Sequence, residues 1–266
     1  MTPVEHSYKH CRRVARSQAK NFYYSFLLLS KPQRDAMCAV YTFMRYCDDL
    51  SDGPNTASAA TMRQWRSELD AALNGQYGSN PCWPAFHDAV RRYNIPHHYF
   101  HEMIDGVSSD LQPRDIQTFE ELYKYCYQVA SVVGLTIIHI FEYESQHALL
   151  LAEKCGVAFQ LTNIIRDVKE DQEKGRIYIP KEDRDRYPEL TKLLSIQAGR
   201  ARRYYDESRP LLDLVHPRSR RSLWALIEIY STLLDRIVQS GYDVVSRRIR
   251  LSGVEKVGII LRALFR

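Results

Sequence analysis

Apolar residues recur along this chain at intervals of three and four, and that spacing predicts helices almost throughout. Residues 4–29 read as one helix running into the apolar stretch from Phe22 to Leu29. Ser30, Lys31 and Pro32 mark a fresh start, with Ser30 as N-cap and Pro32 in the first turn. That helix is expected from about Pro32 to Leu50, with Gly53-Pro54-Asn55 as its stop. Residues 58–73 are amphipathic, with Met62, Trp65 and Leu69 on one side, and Gly75 to Pro84 reads as loop. Helices follow at about 85–93 and 96–111. A longer one is expected over 118–142, where Thr118 and Glu121 form a capping-box pattern. Another covers 145–172, a charged loop runs from Gly175 to Pro188, and the last helices fall at about 191–214, 217–241 and 252–265. No run of alternating strand residues stands out, so the expected class is all-α.

Composition strengthens that reading. Only 11 Gly and 11 Pro occur in 266 residues, which favours long regular elements over many turns. A hydrophobic share of 45% is enough for a sizeable core, in one large domain or two small ones. The net charge of +5 is uneven: from Arg200 onward 14 Lys or Arg face 7 Asp or Glu, so the first 199 residues are slightly acidic. A basic tail suits an anionic partner, whether a membrane surface, a diphosphate or nucleic acid. No helix-turn-helix, zinc-finger or RNA-binding signature is present, so no nucleic-acid partner is expected. The six Cys form no CxxC pair, which argues against zinc and redox motifs, and Cys38, Cys47, Cys126 and Cys155 fall in apolar helical stretches as core residues. A reducing cytoplasm fits such thiols. The start of the chain lacks the apolar run of a signal peptide, and no run of about 18 apolar residues marks a membrane span.

Two acidic clusters carry the chemistry. The first is Asp48-Asp49-Leu50-Ser51-Asp52, a DDxxD. At about 100° per residue, Tyr41, Arg45, Asp48 and Asp52 share one helical face. The second runs from Asn163 to Asp171, and Asn163, Asp167 and Asp171 share a face beside Gln160. Carboxylates four residues apart repel unless a cation sits between them. Mg²⁺ is commonly held by one or two carboxylates together with substrate phosphates. A lone acidic run at a helix end is ordinarily a solvated face. Here apolar residues precede the first cluster (Val40, Phe43, Met44, Cys47) and surround the second (Val157, Ala158, Leu161, Ile164, Ile165). Charge in such a setting is costly unless compensated.

In these residues the chain resembles the squalene and phytoene synthase family, closest in look to the bacterial enzymes. Four segments carry the likeness in family order: Lys20 to Phe26, AVYTFMRYCDDLSD, YCYQVASVVG and QLTNIIRDVKEDQEKGRIYIP. The resemblance implies a single all-α domain, an isoprenoid synthase bundle over 1–266 with a central cavity. It implies that Asp48, Asp52, Asp167 and Asp171 bind Mg²⁺, or Mn²⁺ in its place, with Asp49 in support and Asn163 and Gln160 beside them. Arg45, Arg166, Arg176 and Lys20 are implied to hold diphosphate oxygens, although Asn21 departs from the Ser common after that Lys. Tyr125 matches a tyrosine given a proton-transfer or cation-stabilising role, and Tyr41 matches another in the cavity. Tyr242, with Arg247, Arg248 and Arg250, resembles a segment that closes over substrate. Phe22, Phe26 and the helix from Val129 to Ile140 are candidates for the apolar wall, with Gly134 allowing close approach of a chain.

The implied reaction is a head-to-head condensation of two prenyl diphosphates. Farnesyl diphosphate is the favoured substrate, giving presqualene diphosphate or a thirty-carbon product. Geranylgeranyl diphosphate, giving phytoene, is the alternative, and NADPH use stays open. A terpene cyclase would carry Asn and Ser before a Glu where this chain has Asp167 and Asp171. A non-catalytic lipid-binding or assembly protein of the same fold would typically have lost metal ligands. The C-terminal KVGIILRALFR is basic and apolar, which suggests peripheral contact with the inner face of a membrane; oligomeric state is open.

Overall fold

The computed structural model describes residues 2–19, 22–52 and 58–266, apart from the side chain of Asp52. Lys20, the carboxylate of Asp52 and the Gly53-Pro54-Asn55 stop therefore lie outside the described residues.

Helices α1 (Pro3–Gln18), α2 (Phe22–Phe26), α3 (Lys31–Asp52), α4 (Ala59–Leu73), α5 (Trp83–Arg92) and α6 (His98–Ser108) come first. A short 3₁₀ turn at Ser109–Leu111 leads to β1 (Arg114–Asp115). Then follow α7 (Phe119–Cys126), a π turn (Tyr127–Ser131), α8 (Val132–Phe141) and α9 (His147–Glu173). The chain ends with β2 (Arg176–Ile177), α10 (Lys181–Arg186), α11 (Leu190–Ser208), α12 (Leu211–Leu214), α13 (Pro217–Gln239) and α14 (Gly253–Ala263).

Several boundaries correct the sequence expectation. The helix expected over 4–29 is two: α1 ends where Ala19 leaves helical geometry (φ −79°, ψ 55°), and the new turn packs Phe22 on Tyr41 and Tyr230. Ser30 stands at the expected start, and its hydroxyl donates to Gln33 Oε1 at 2.9 Å. Gln33 in turn donates to Ile140 O and Ser219 Oγ, which ties α3 to α8 and α13. Thr118 does cap α7, but Glu121 reaches back to the Gln117 amide, not to Thr118. The expected helix 191–214 breaks before Pro210, which has no N–H to continue it. The charged loop 175–188 contains β2 and α10; β1 and β2 pair in parallel, Arg114 opposite Arg176. This two-residue ladder leaves the all-α class intact.

The helix expected over 118–142 carries the π turn in its middle, with the Val132 amide donating to Tyr127 O. The extra residue presses the backbone against α9. A Cβ on Gly156 of α9 would lie 2.5 Å from Ser131 Cα, so glycine is required for this approach. Such π turns often occur at functional sites.

The buried residues form two cores. One joins α1, α3, α5, α6 and α8, with Phe43, Phe86, Phe100 and Trp83 in mutual ring contact. The other joins α7, α9, α11 and α13. All six Cys are buried free thiols, Cys11 and Cys82 included. Two stretches, Phe119–Phe141 and His147–Glu173, are long and apolar enough to cross a bilayer by length and composition. More than half of each is buried in the fold, and the second carries an acidic cluster.

Candidate active site

A cavity of about 590 Å³ runs between the two cores. Its apolar part is formed by Phe26, Met37, Ile138, Leu211 and Leu223, with Val129, Val133 and Ile137 from the π turn and α8. Gly134 lines it too, but the close approach it permits is to α9: a Cβ there would sit 3.0 Å from Ala152 O. Phe159 stacks on Tyr230 across the wall, centroids 4.3 Å apart.

Polar groups gather where α3 and the second half of α9 face the cavity. Tyr41, Arg45 and Asp48 line it from α3, as their shared helical face predicts, and Gln160, Asn163 and Arg166 line it from α9. Asp167 and Asp171, expected on the face of Asn163, and Arg176 are not part of the lining; Asp167 is held instead by Arg166 and Arg248, which do line it. Phe22 lines it beside Tyr41, and burial pushes the Tyr41 hydroxyl up to about 12. Asp49 lies beside the cavity and pairs with Arg45 one turn earlier. Asp167 is bracketed by two guanidiniums. Arg166 Nε donates to Asp167 Oδ1 at 2.8 Å while Nη2 takes the other oxygen, and Arg248 Nη2 lies 3.0 Å from Asp167 Oδ1. Arg248 also reaches Glu170 at 2.7 Å. Burial, and then the charge of Asp167, raise the Asp171 carboxyl to about 7, against the pull of Arg176.

Tyr125 is buried behind this end, in the second core and outside the cavity wall. Its hydroxyl donates to Asp110 Oδ2 at 2.8 Å, and burial followed by the Asp110 charge holds it far above the ordinary tyrosine range. Arg176 donates to the Asp110 carbonyl. Tyr242 is half-buried in the second core with φ 63° and does not line the cavity. The segment after it is held to α9 by Lys169, which donates to Val245 O, and by Arg248. Sequence reasoning missed Asp110, Tyr178, Glu170 and Tyr230. The basic run at Arg247–Arg250 was the only signal for the Arg248 contacts.

Two orphaned atoms test whether the site suits a metal and its anion. Asn163 Oδ1 is buried with no hydrogen-bond partner, as is Arg45 Nε. A buried unsatisfied group costs about 1–3 kcal/mol. A cation satisfies the first and a phosphate oxygen the second. The donor set is all oxygen, as Mg²⁺ prefers. Among the described residues no group of three His, Cys, Asp or Glu encloses a metal unaided. Such a site fits an ion whose remaining ligands are water and phosphate.

An all-helical fold with basic and carboxylate groups at one end of an apolar cavity suits an enzyme that acts on an apolar chain bearing an anionic head, and comparison with known proteins gives the class. Residues 15–255 match the squalene/phytoene synthase family. The chain is 33% identical to a 15-cis-phytoene synthase of Synechococcus elongatus, over 93% of this chain and 89% of that one. It is 35% identical to a phytoene synthase of Mycobacterium tuberculosis, over 99% and 92%. It superposes on a dehydrosqualene synthase crystallised with a ligand at a TM-score of 0.92, with 28% identity, covering 99% and 98%. The chain belongs to the squalene/phytoene synthase family, whose members are divalent-metal-dependent prenyltransferases.

Proposed function

We propose that the chain, as a single domain over 1–266, joins two long prenyl diphosphates head to head with Mg²⁺ bound between substrate and protein. The observation that carries this is that Asp48 on α3 and Asn163 on α9 line the polar end of one apolar cavity, with Asp167 next to it, paired to the lining residues Arg166 and Arg248. Asp48, Asp167, Asp171 and Asn163 would hold the metal, with Asp49 in support. When bound, Mg²⁺ neutralises charge growing on the departing diphosphate. Arg45 and Arg166 present forked donors to phosphate oxygens, a role for which a planar guanidinium is suited. The apolar wall excludes water, which would trap a carbocation as an alcohol.

The favoured substrate is the point at which the comparisons shift the sequence reading. Relatives at 33–35% identity are phytoene synthases, which supports two geranylgeranyl diphosphates and a forty-carbon product. The likeness to dehydrosqualene synthase supports two farnesyl diphosphates and a thirty-carbon product. The forty-carbon reading rests on higher identity and is preferred. Incubating purified protein with each diphosphate and Mg²⁺, with and without NADPH, and weighing the products decides it. A C40 hydrocarbon is expected; a C30 product or presqualene diphosphate would move the enzyme to the squalene side, and no coupled product from folded protein would end the reading.

A cytoplasmic enzyme touching the inner membrane face is part of the same proposal. Val254, Val257 and Leu261 of α14, with Leu264 and Phe265 just beyond it, are exposed beside Arg262. An apolar strip next to basic groups suits an anionic lipid surface. Co-sedimentation with anionic liposomes is expected to be weak and lost at high salt; binding unaffected by salt would contradict it.

A further inference from the structure

Asp110 is a partly buried carboxylate that the reaction outlined above does not use. It stands in the 3₁₀ turn between α6 and β1. Its Oδ2 accepts from Tyr125 at 2.8 Å and its Oδ1 from Tyr178 at 2.9 Å, while its backbone carbonyl accepts from Arg176 Nη2 at 3.0 Å. The two tyrosine rings stack with centroids 4.6 Å apart and planes 18° apart, and the Arg114 guanidinium lies 4.9 Å over the Tyr125 ring. Arg114 and Arg176 are opposite each other in the β1–β2 ladder.

This one residue therefore ties three separate segments together beside the end of the acidic helix. Arg176 opens the strand after α9 and Tyr178 directly follows that strand, and Asp110 holds both, one through its carbonyl and the other through its carboxylate. Tyr125 fixes the same carboxylate to α7. The guanidinium of Arg176 is thereby kept where its charge acts on Asp171 as well as on Asp110. A long Arg side chain loses rotamer freedom when ordered, so holding it in advance favours binding of an anion there.

We propose that Asp110 is a positioning residue that aims Arg176 at the diphosphate bound against Asp171, acting through the Tyr178 and Tyr125 hydroxyls. It rests on the diphosphate reading given above. Groups that orient ligands from one layer behind typically change affinity by about 10–100-fold when mutated. A neutral amide in place of the carboxylate keeps one acceptor oxygen and turns the other into a donor, so one of the two hydroxyls can no longer donate its hydrogen there and the charge that holds both is lost.

The test is calorimetric binding of inorganic pyrophosphate with Mg²⁺, beside steady-state kinetics. Asp110→Asn is expected to weaken pyrophosphate binding about tenfold and to raise KM more than it lowers kcat. Arg176→Lys should cost a similar factor, and the double variant should be no worse than Arg176→Lys alone by more than about twofold, because both act through one group. Unchanged pyrophosphate binding in Asp110→Asn, or losses that add in full, would overturn the proposal. Tyr178→Phe removes only one hydroxyl and guards against a folding defect: weakened binding is expected, and wild-type binding would count against the proposal. Wild-type protein that neither binds pyrophosphate nor forms coupled product would instead overturn the reading beneath it.

Discussion

The two acidic faces share a spacing and differ in their physics. On α3, Arg45 and Asp49 pair along their own helix, each about 40% exposed. Pairs of that kind are worth little, because water already relieves the charge. On α9, Arg166 and Asp167 are only about 15% exposed, and Arg248 reaches them from far along the chain. Asp171 stands one turn further, short enough of compensation that its carboxyl is raised to about 7. On the first face the Arg45–Asp49 pair lies within one helix, whereas on the second the ion pairs depend on the tertiary fold.

The largest expected effect treats the two faces alike. Asp48→Ala and Asp171→Ala should each lower turnover by about a thousandfold or more, since one charge-stabilising group already contributes roughly 10²–10³. Circular dichroism must show both variants folded. A fully active variant at either position would remove that carboxylate from the site.

Stability should separate them. Folded Asp171 keeps its proton to about pH 7, while the unfolded chain releases it near the ordinary aspartate value of 3.8. Between those values the folded state binds more protons, so metal-free stability falls as pH rises through that window. Asp171→Asn should melt with the wild type near pH 4 and above it at pH 8, in the presence of a chelator. Mg²⁺ with pyrophosphate should stabilise the wild type and not the variant. Identical melting at pH 8 would show that the α9 face carries no such strain.

A smaller effect follows from depth. Arg166→Lys replaces a fork on both Asp167 oxygens with a single point charge and should lower kcat/KM by about 10–100-fold. Arg45→Lys, on the wetter face, should cost less. The reverse order would place the main diphosphate contact on α3.

How far each face was legible follows the same division. The stripe of Tyr41, Arg45 and Asp48 is a matter of helical period, so the sequence places it on the cavity. Asn163 is legible for the same reason, whereas Asp167 and Asp171, on the same face by period, do not line the cavity, and the groups that hold them are not legible. Asp110 and Tyr178 reach the α9 end only through tertiary packing and no spacing announces them, while Arg248 showed only as part of a basic run. The π turn hides likewise, because the pattern from Thr118 to Phe141 is apolar whether or not one residue is extra. The helix starts after Ser30 and Thr118 were legible, but the side-chain partners were not: the Ser30 hydroxyl donates to Gln33, and Glu121 takes the Gln117 amide.

The π turn also gives the gentlest test of the comparison. Gly156 lets α9 lie against the Ser131 backbone, and only backbone stands in the way of a side chain there. Gly156→Ala should therefore push α9 outward and cost about 1–3 kcal/mol, read as a lower Tm. Gly199 on α11 has no atom within 4 Å of the same added carbon. Gly199→Ala should be neutral or stabilise by up to about 1 kcal/mol, because alanine favours helix. Since Gln160, Asn163 and Arg166 lie one to three turns beyond Gly156 on α9, its variant should also raise KM, while the Gly199 variant leaves it unchanged. An unaltered KM in Gly156→Ala, despite the lower Tm, would mean that the α9 face is positioned by Arg248 and the strand pair beyond it, and not by the close fit against the π turn.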